Sequence, residues 1–316
     1  MPDVDRRLLV GHTAADSTDA GGGCLVFFGL PFLAVGGFVI ALSRGVIPLQ
    51  GRANAPLWVL TAFGAVFAAA GLLVISLGFI GMSRARNARR RKEEHPLEPW
   101  LWDFPFDTRH ASYGTLKPAI QGFFGFAFFC VFLAGFHFWA FFTPEGPFPV
   151  KVFVVVMDLV ALLILWGAFH SLFAYLKYGT SRVHFARFPF RPGGSFEAGL
   201  EASSKLRQAP KIDLILRYIE EIIIHRSSGK NSNTQINLYC LHEVAQELTP
   251  AHFANADDAI PISMRLPSGE YSNRLMEKPR RYWELEIKAE TPGIDYKAFF
   301  VLPVYGAQGA EPLPED

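Results

Sequence analysis

Charge is what this sequence lacks most. Only 19% of its 316 residues are Asp, Glu, Lys or Arg, where about a quarter is usual in soluble globular chains. The 30 basic and 29 acidic residues nearly cancel, leaving a net charge of +1, so no global basic field exists to attract nucleic acid. Cysteine is scarce too, and three of them cannot build a disulfide framework. No zinc-protease helix motif and no Gly-x-Ser-x-Gly elbow occurs, and no spacing of paired carboxylates stands out. The composition excludes a disordered chain, a collagen and a disulfide scaffold. No enzymatic activity, cofactor or metal is expected from it.

What the sequence has is apolar residues, 50% of the total, at a mean hydropathy of +0.21. They are unevenly spread, with 23 of the 30 phenylalanines before residue 180. That part holds four long apolar runs. Gly23–Ser43, Pro56–Ser83 and Pro118–Phe142 carry no charge, and Val150–Tyr178 carries Lys151, Asp158 and Lys177. About 20 apolar residues in a helix span the hydrocarbon of a bilayer, so each run predicts a transmembrane helix. Soluble helices keep a polar face, and these have none. The first run starts after an acidic, glycine-rich leader without a clean cleavage site, so it reads as a span and not as a signal peptide. The residues before Cys24, Asp19-Ala-Gly-Gly-Gly23, are not the apolar run that a lipoprotein signal needs.

Orientation follows from Lys and Arg. Between the second and third runs stand Arg84, Arg86, Arg89, Arg90, Arg91, Lys92, Arg109 and Lys117. The first connection has only Arg44 and Arg52, and Thr143–Pro149 has none. The basic loop is therefore expected to be cytoplasmic, and with four spans both termini share that side; the alternative role of the cluster is to recruit anionic lipid or nucleic acid. The chain divides into a flexible cytoplasmic N-terminus (1–22), a transmembrane hairpin (23–83), a basic Pro/Trp-rich loop (84–117), a second hairpin (118–178), a soluble domain (179–305) and a disordered tail (306–316).

Small residues recur every seven positions, at Gly29, Gly36 and Ser43 in the first run and at Gly64, Gly71 and Gly78 in the second. Such seams let helix backbones approach closely in lipid, which predicts a tight antiparallel hairpin. The third run carries ten phenylalanines, suited to lipid or neighbouring helices. His137 and Asp158 lie about equally far from the turn centre near Gly146, so in antiparallel helices they share a depth. Ionisable groups at membrane depth are costly. The pair reads either as a structural polar clasp or as a proton or ion relay. Internal repeats and broken helices, usual in secondary transporters, are not visible, although Pro31 offers a kink in the first run.

Within the loop, three prolines in ten residues exclude a regular helix. Trp100, Trp102, Phe104 and Phe106 alternate, so an extended segment would present them on one side, at the headgroup level, docked on the protein's own soluble domain, or as a peptide-like docking site for a foreign partner. The pattern Pro96-x-Glu-Pro-Trp-Leu-Trp102 resembles one in a family of bacterial polytopic membrane proteins without an assigned activity. There it stands between two pairs of spans and precedes a β-rich cytoplasmic domain. The resemblance extends to Phe190-Arg-Pro-Gly-Gly194, Tyr282-Trp-Glu-Leu-Glu286, Pro292-Gly-Ile-Asp-Tyr296 and Val301-Leu-Pro-Val-Tyr305. It implies a multi-pass protein of a bacterial inner membrane.

Residues 179–316 read with period two. Trp283-Glu-Leu-Glu-Ile-Lys-Ala-Glu290 alternates apolar and charged residues, as a half-buried strand does. Thr291-Pro292-Gly293 supplies a turn, and Tyr296–Tyr305 returns as the second strand. Similar runs at Arg182–Phe188, Ser195–Ser203, Ile212–His225, Thr234–Val244 and Ile260–Leu266 predict an all-β antiparallel sandwich. Its Pro-Gly-Gly start and Trp…Pro-Gly-Ile-Asp-Tyr ending resemble arrestin-type or immunoglobulin-type domains. A short helical insertion is expected within Glu243–Asn255. Ser228-Gly-Lys-Asn231 lacks the upstream glycine of a phosphate loop and is rejected as one. Cys240 and His242 alternate on one strand and so should share a face, with His225 the only obvious third ligand, which is too few for a metal site. The function expected is a membrane-anchored interaction or scaffold module with a cytoplasmic or membrane protein partner. The alternative is a small transport or channel protein, or its accessory subunit, using His137 and Asp158.

Overall fold

The structure is a computed structural model that describes residues 7–9, 22–48, 57–142, 147–201, 203–228, 231–253 and 259–306. Most of the expected flexible N-terminus, nearly all of the expected disordered tail, Arg52, residues 143–146 and Gly229-Lys230 lie outside these residues. The chain forms two compact units. One comprises residues 19–86 and 115–173, and the other is drawn from residues 1–18, 87–114 and 174–316.

The first unit is helical. It holds α1 (Gly22–Ser43), α3 (Leu116–Phe142) and all but the last turns of α2 (Leu57–Glu94) and α4 (Phe148–Tyr178), and all four helices are long and apolar enough to cross a membrane. Even α1, the shortest at 22 residues, extends about 33 Å at 1.5 Å per residue. The seam glycines bring α1 and α2 into backbone contact. A Cβ at Gly36 would lie 2.3 Å from Ala68 N, and one at Gly71 would lie 2.5 Å from Leu33 N. Gly29 and Gly64 face the partner backbone in the same way, and Gly78 is buried on α2. Ser43 and Thr61 close one end with a 2.9 Å hydrogen bond. Buried residues also recur at multiples of seven in α3 (Ala119, Leu133, Ala140) and α4 (Val154, Ala161, Ala168). Phe132 of α3 meets Phe63 and Phe67 of α2, with ring centroids 6.0 and 5.8 Å apart. Other phenylalanines point outward, as Phe124 does.

Helix α2 departs from the expected loop at Arg84 by continuing to Glu94. Arg, Lys, Ala and Glu are good helix formers, and Arg90 pairs with Glu94 one turn on. The helix stops where Pro96 disfavours helical backbone at His95.

The second unit is built from strands β1 (Arg7–Leu8), β2 (His110–Gly114), β3 (Thr180–Phe185), β4 (Ser195–Glu201), β5 (Ile212–Ser228), β6 (Asn231–Leu248), β7 (Ala259–Arg265), β8 (Arg280–Ala289) and β9 (Tyr296–Leu302). They form two antiparallel sheets, ordered β1-β6-β5-β8-β9 and β2-β3-β4-β7. One core joins their inner faces, with Val183, Phe196 and Ile262 from the second sheet and Leu214, Trp283 and Phe300 from the first. Trp283–Ala289 forms strand β8 as expected, but it is not half-buried: Glu284 and Glu286 on its outer face are buried like Trp283, Leu285 and Ile287 on its inner face, because the outer face is covered as well. Gly293 takes the positive φ (88°) of the turn after it. Strands β1 and β2 lie in segments read as flexible terminus and loop, because two residues, or His-Ala-Ser-Tyr-Gly, carry too little apolar pattern to signal a strand. The helical insertion shrinks to one turn, Pro250–Phe253, since Glu243–Leu248 completes β6.

Candidate functional site

Residues 95–106 follow α2 and lie against the two-sheet unit. Pro99–Leu101 forms a 3-10 turn, so the aromatic strip is not one extended segment, and its residues make separate contacts. All four aromatics are half-buried. Trp100 and Phe106 each stand edge-on to Tyr305 at 6.2 Å, and Phe104 packs on Phe106 at 4.7 Å. Phe104, Phe106 and Leu9 pack against Ile219, Leu238, Leu275 and Tyr282. These form a small second core on the outer face of the five-stranded sheet. Trp102 Nε1 donates to the His95 carbonyl at 3.0 Å, and Lys92 sits over the Trp102 ring. Arg84, Arg86, Arg89, Arg90, Arg91 and Lys92 are exposed around the last turns of α2.

The residue that fastens this segment is Asp103. Its carboxylate is buried, 4% exposed, and accepts from Leu275 N (2.9 Å), Met276 N (2.7 Å) and the Tyr305 hydroxyl (2.9 Å). Burial pushes the carboxyl above its ordinary range, although the three donors oppose it. Burial and the adjoining carboxylate together raise the Tyr305 phenol well above its usual value. Beside the clamp opens a polar cleft of about 350 Å³, lined by Trp102, Asp103, Asn273, Arg274, Glu277 and Tyr305. Sequence reasoning missed Asp103, since nothing local marks one acidic residue among aromatics.

The outer face of the five-stranded sheet buries an ion-pair network. Arg217 donates to Glu243 at 2.6 Å and also to Glu286, whose other oxygen meets Lys288 at 3.0 Å. Glu221 pairs with Arg280 on this same face, whereas Glu220 and Arg281 pair on the opposite face, next on that face after Tyr218 and Trp283. Burial raises the Glu286 carboxyl, but Arg217 and Lys288 outweigh that and hold it below its ordinary value.

Strand β6 lies near one edge of that sheet. Its whole length pairs with β5 on one side. On the other side, among the described residues, it meets only Arg7 and Leu8, opposite Cys240 and Tyr239, and the Leu9 N–H, which donates to the Leu238 carbonyl. A bulge interrupts the β5 ladder, where His242 stands opposite Tyr218 but Cys240 stands opposite Ile219, leaving Leu241 as the extra residue. The bulge corrects the expectation that Cys240 and His242 share a face, because one added residue inverts the alternation. The His242 ring is tilted against Tyr271 at 5.6 Å and edge-on to Trp283 at 6.0 Å, and burial lowers its pKa. Cys240 lies opposite Ile219 of the small second core, and burial raises its thiol. Among the described residues, no three His, Cys, Asp or Glu side chains are placed to hold a metal ion.

In the helical unit, His137 Nε2 lies 3.1 Å from Asp158 Oδ2, and Nδ1 lies 3.0 Å from the Leu133 carbonyl. A carbonyl only accepts, so Nδ1 carries a hydrogen. The Asp158 contact then requires a further proton between Nε2 and Oδ2, held by either group. Both arrangements are neutral overall.

The chain matches no protein-family profile and no curated protein. Among solved structures it is similar to Spo0M, the sporulation control protein from Bacillus subtilis, at 12% identity and a TM-score of 0.25. The match covers 40% of this chain and about half (49%) of that one. A likeness at this level transfers no function.

Proposed function

We propose that the chain is a membrane-anchored binding module. Four helices hold it in a bilayer of the inner-membrane type. The basic end of α2 and both termini lie on the cytoplasmic side, and an arrestin-type sandwich offers a sheet edge there to a protein partner. The observation that carries the reading is the β6 edge, 18 residues long and covered among the described residues only near its middle. Natural sheets usually blunt such edges, because an open one templates pairing with another chain. An extended peptide adding a strand would gain main-chain hydrogen bonds along it. By the register, backbone groups at 238 and 240 face β1, and after the bulge those at 243, 245 and 247 face away from β5.

Support for the orientation comes from connectivity. Residues preceding α1, between α2 and α3, and following α4 contribute to one folded unit, so they occupy one side of any bilayer. The Lys/Arg bias then selects the cytoplasmic side.

The test places a photo-crosslinking amino acid at Glu247 of the full chain in cells, with and without Ala245→Pro. Proline at an edge position whose N–H points outward removes that donor and spares the β5 ladder. The expected result is a discrete crosslinked partner that disappears with Ala245→Pro. An unchanged crosslinking pattern refutes the edge reading. The second reading, a small transport protein or accessory subunit, rests on the His137–Asp158 contact. It is the weaker one, because that pair lies at the outer surface of the helical unit.

A further inference from the structure

We infer that the face of α3 and α4 carrying His137 and Asp158 is the contact between two copies of this chain. The inference rests on the membrane part of the reading above and is independent of the β6 edge. Asp158 stands seven residues past Lys151 in α4, about 10 Å deeper along the helix axis. Ionisable groups at such depth almost always face protein or a water-filled cavity. Here the two side chains are 37% and 44% exposed on the outside of their own unit, and their α4 neighbours Val155, Leu159 and Leu162 are exposed as well. The single shared proton ties Nε2 to Oδ2, while Asp158 Oδ1 has no hydrogen bond among the described residues. One chain alone turns this polar face toward lipid.

Charge complementarity identifies the occupant. The His137–Asp158 contact joins two antiparallel neighbouring helices, so its direction lies in the membrane plane. Two copies inserted with the same orientation are related by a two-fold axis along the membrane normal, and cyclic dimers are the commonest oligomers. That rotation reverses any in-plane direction. The imidazole of one copy therefore faces the carboxylate of the other, and the two dipoles lie antiparallel and attract. A partner of another sequence has no such complement built in.

Cys130 provides the probe, because it is exposed and precedes His137 by two helical turns on the same stripe of α3. The full chain carrying Cys24→Ser and Cys240→Ser is reconstituted into liposomes and treated with a bis-maleimide. A Cys130-linked dimer is expected, absent after Cys130→Ser. The double variant His137→Leu/Asp158→Leu should yield about tenfold less dimer, the size of loss expected for polar contacts between helices in lipid. Leucine suits lipid, and circular dichroism verifies that the variant is folded. Absence of the dimer in the parent, or an undiminished dimer in the double variant, overturns the inference. Loss of the dimer with Ala245→Pro alone also overturns it, by moving self-association to the β6 edge. Alkaline extraction separates the two readings. Retention in the membrane without a dimer defeats this inference only, and release from the membrane defeats both.

Discussion

Asp103→Ala should undock the segment that follows α2 from the sheets it fastens. The substitution deletes one acceptor group and strands three donors, the Leu275 and Met276 amides and the Tyr305 hydroxyl. Each buried unsatisfied group costs about 1–3 kcal/mol, which sets an upper bound near 9 kcal/mol. The adjoining cleft touches both Asp103 and Tyr305, and water entering from it would recover part of the loss. The expected cost is therefore about 3–5 kcal/mol. Asp103→Asn keeps one good acceptor but turns an NH2 toward a donor, so it should cost roughly 2 kcal/mol. Tyr305→Phe removes a single donor, and a double-mutant cycle with Asp103→Asn should show coupling of about 0.5–3 kcal/mol. The assay is denaturant titration of the full chain in detergent, combined with hydrogen exchange at the Leu275 and Met276 amides. Those amides should lose protection selectively in Asp103→Ala. A variant within about 0.5 kcal/mol of the parent, with both amides still protected, would refute the clamp.

Gly36→Val should separate α1 from α2, since its added carbons meet the Ala68 backbone, whereas Gly37→Val has open space at the same depth and should be neutral. Overpacking costs about 1–3 kcal/mol even where side chains can yield, and resistance of the full chain to unfolding in SDS compares the two. Two buried carboxylates should impose opposite pH dependences. Glu286 is held low by its cations, so its stabilisation is present above the ordinary carboxylate pKa and disappears as pH falls through the lowered folded value. Asp103 is raised, so its native state binds the proton more tightly and stability declines as pH climbs from the ordinary value through the raised one. Glu286→Gln and Asp103→Asn should each flatten the corresponding limb of a stability–pH curve, and matching curves for parent and variants would refute the assignments.

The parts of this protein that could be read in its sequence are those whose cause is local. Hydropathy over about 20 residues marks a helix long and apolar enough to cross a membrane, a heptad of glycines marks a close seam, and alternation at Trp283–Glu290 marks a strand. The His137–Asp158 geometry was within reach because only a few residues of sequence separate the two helices, which ties the depths of equally distant positions. Asp103 was not, because its partners lie 172, 173 and 202 residues downstream and only the completed sheets bring them together. The bulge at Leu241 was equally hidden, since one inserted residue leaves no compositional trace yet separates Cys240 from His242.

The interleaved make-up of the sheet-bearing unit bears on how the protein is made. Its chain arrives in three instalments, before α1, between α2 and α3, and after α4, and on the proposed topology each instalment is separated from the next by a pair of crossings. The ribosome must finish the last one before β1 and β2 find their partners. A hairpin inserted the wrong way round would strand an instalment across the bilayer, leaving the β6 ladder or the β3 edge uncovered. On that topology, the unit is complete only in chains whose hairpins are inserted the right way round, and protease resistance of the sheets should report how many chains have threaded correctly.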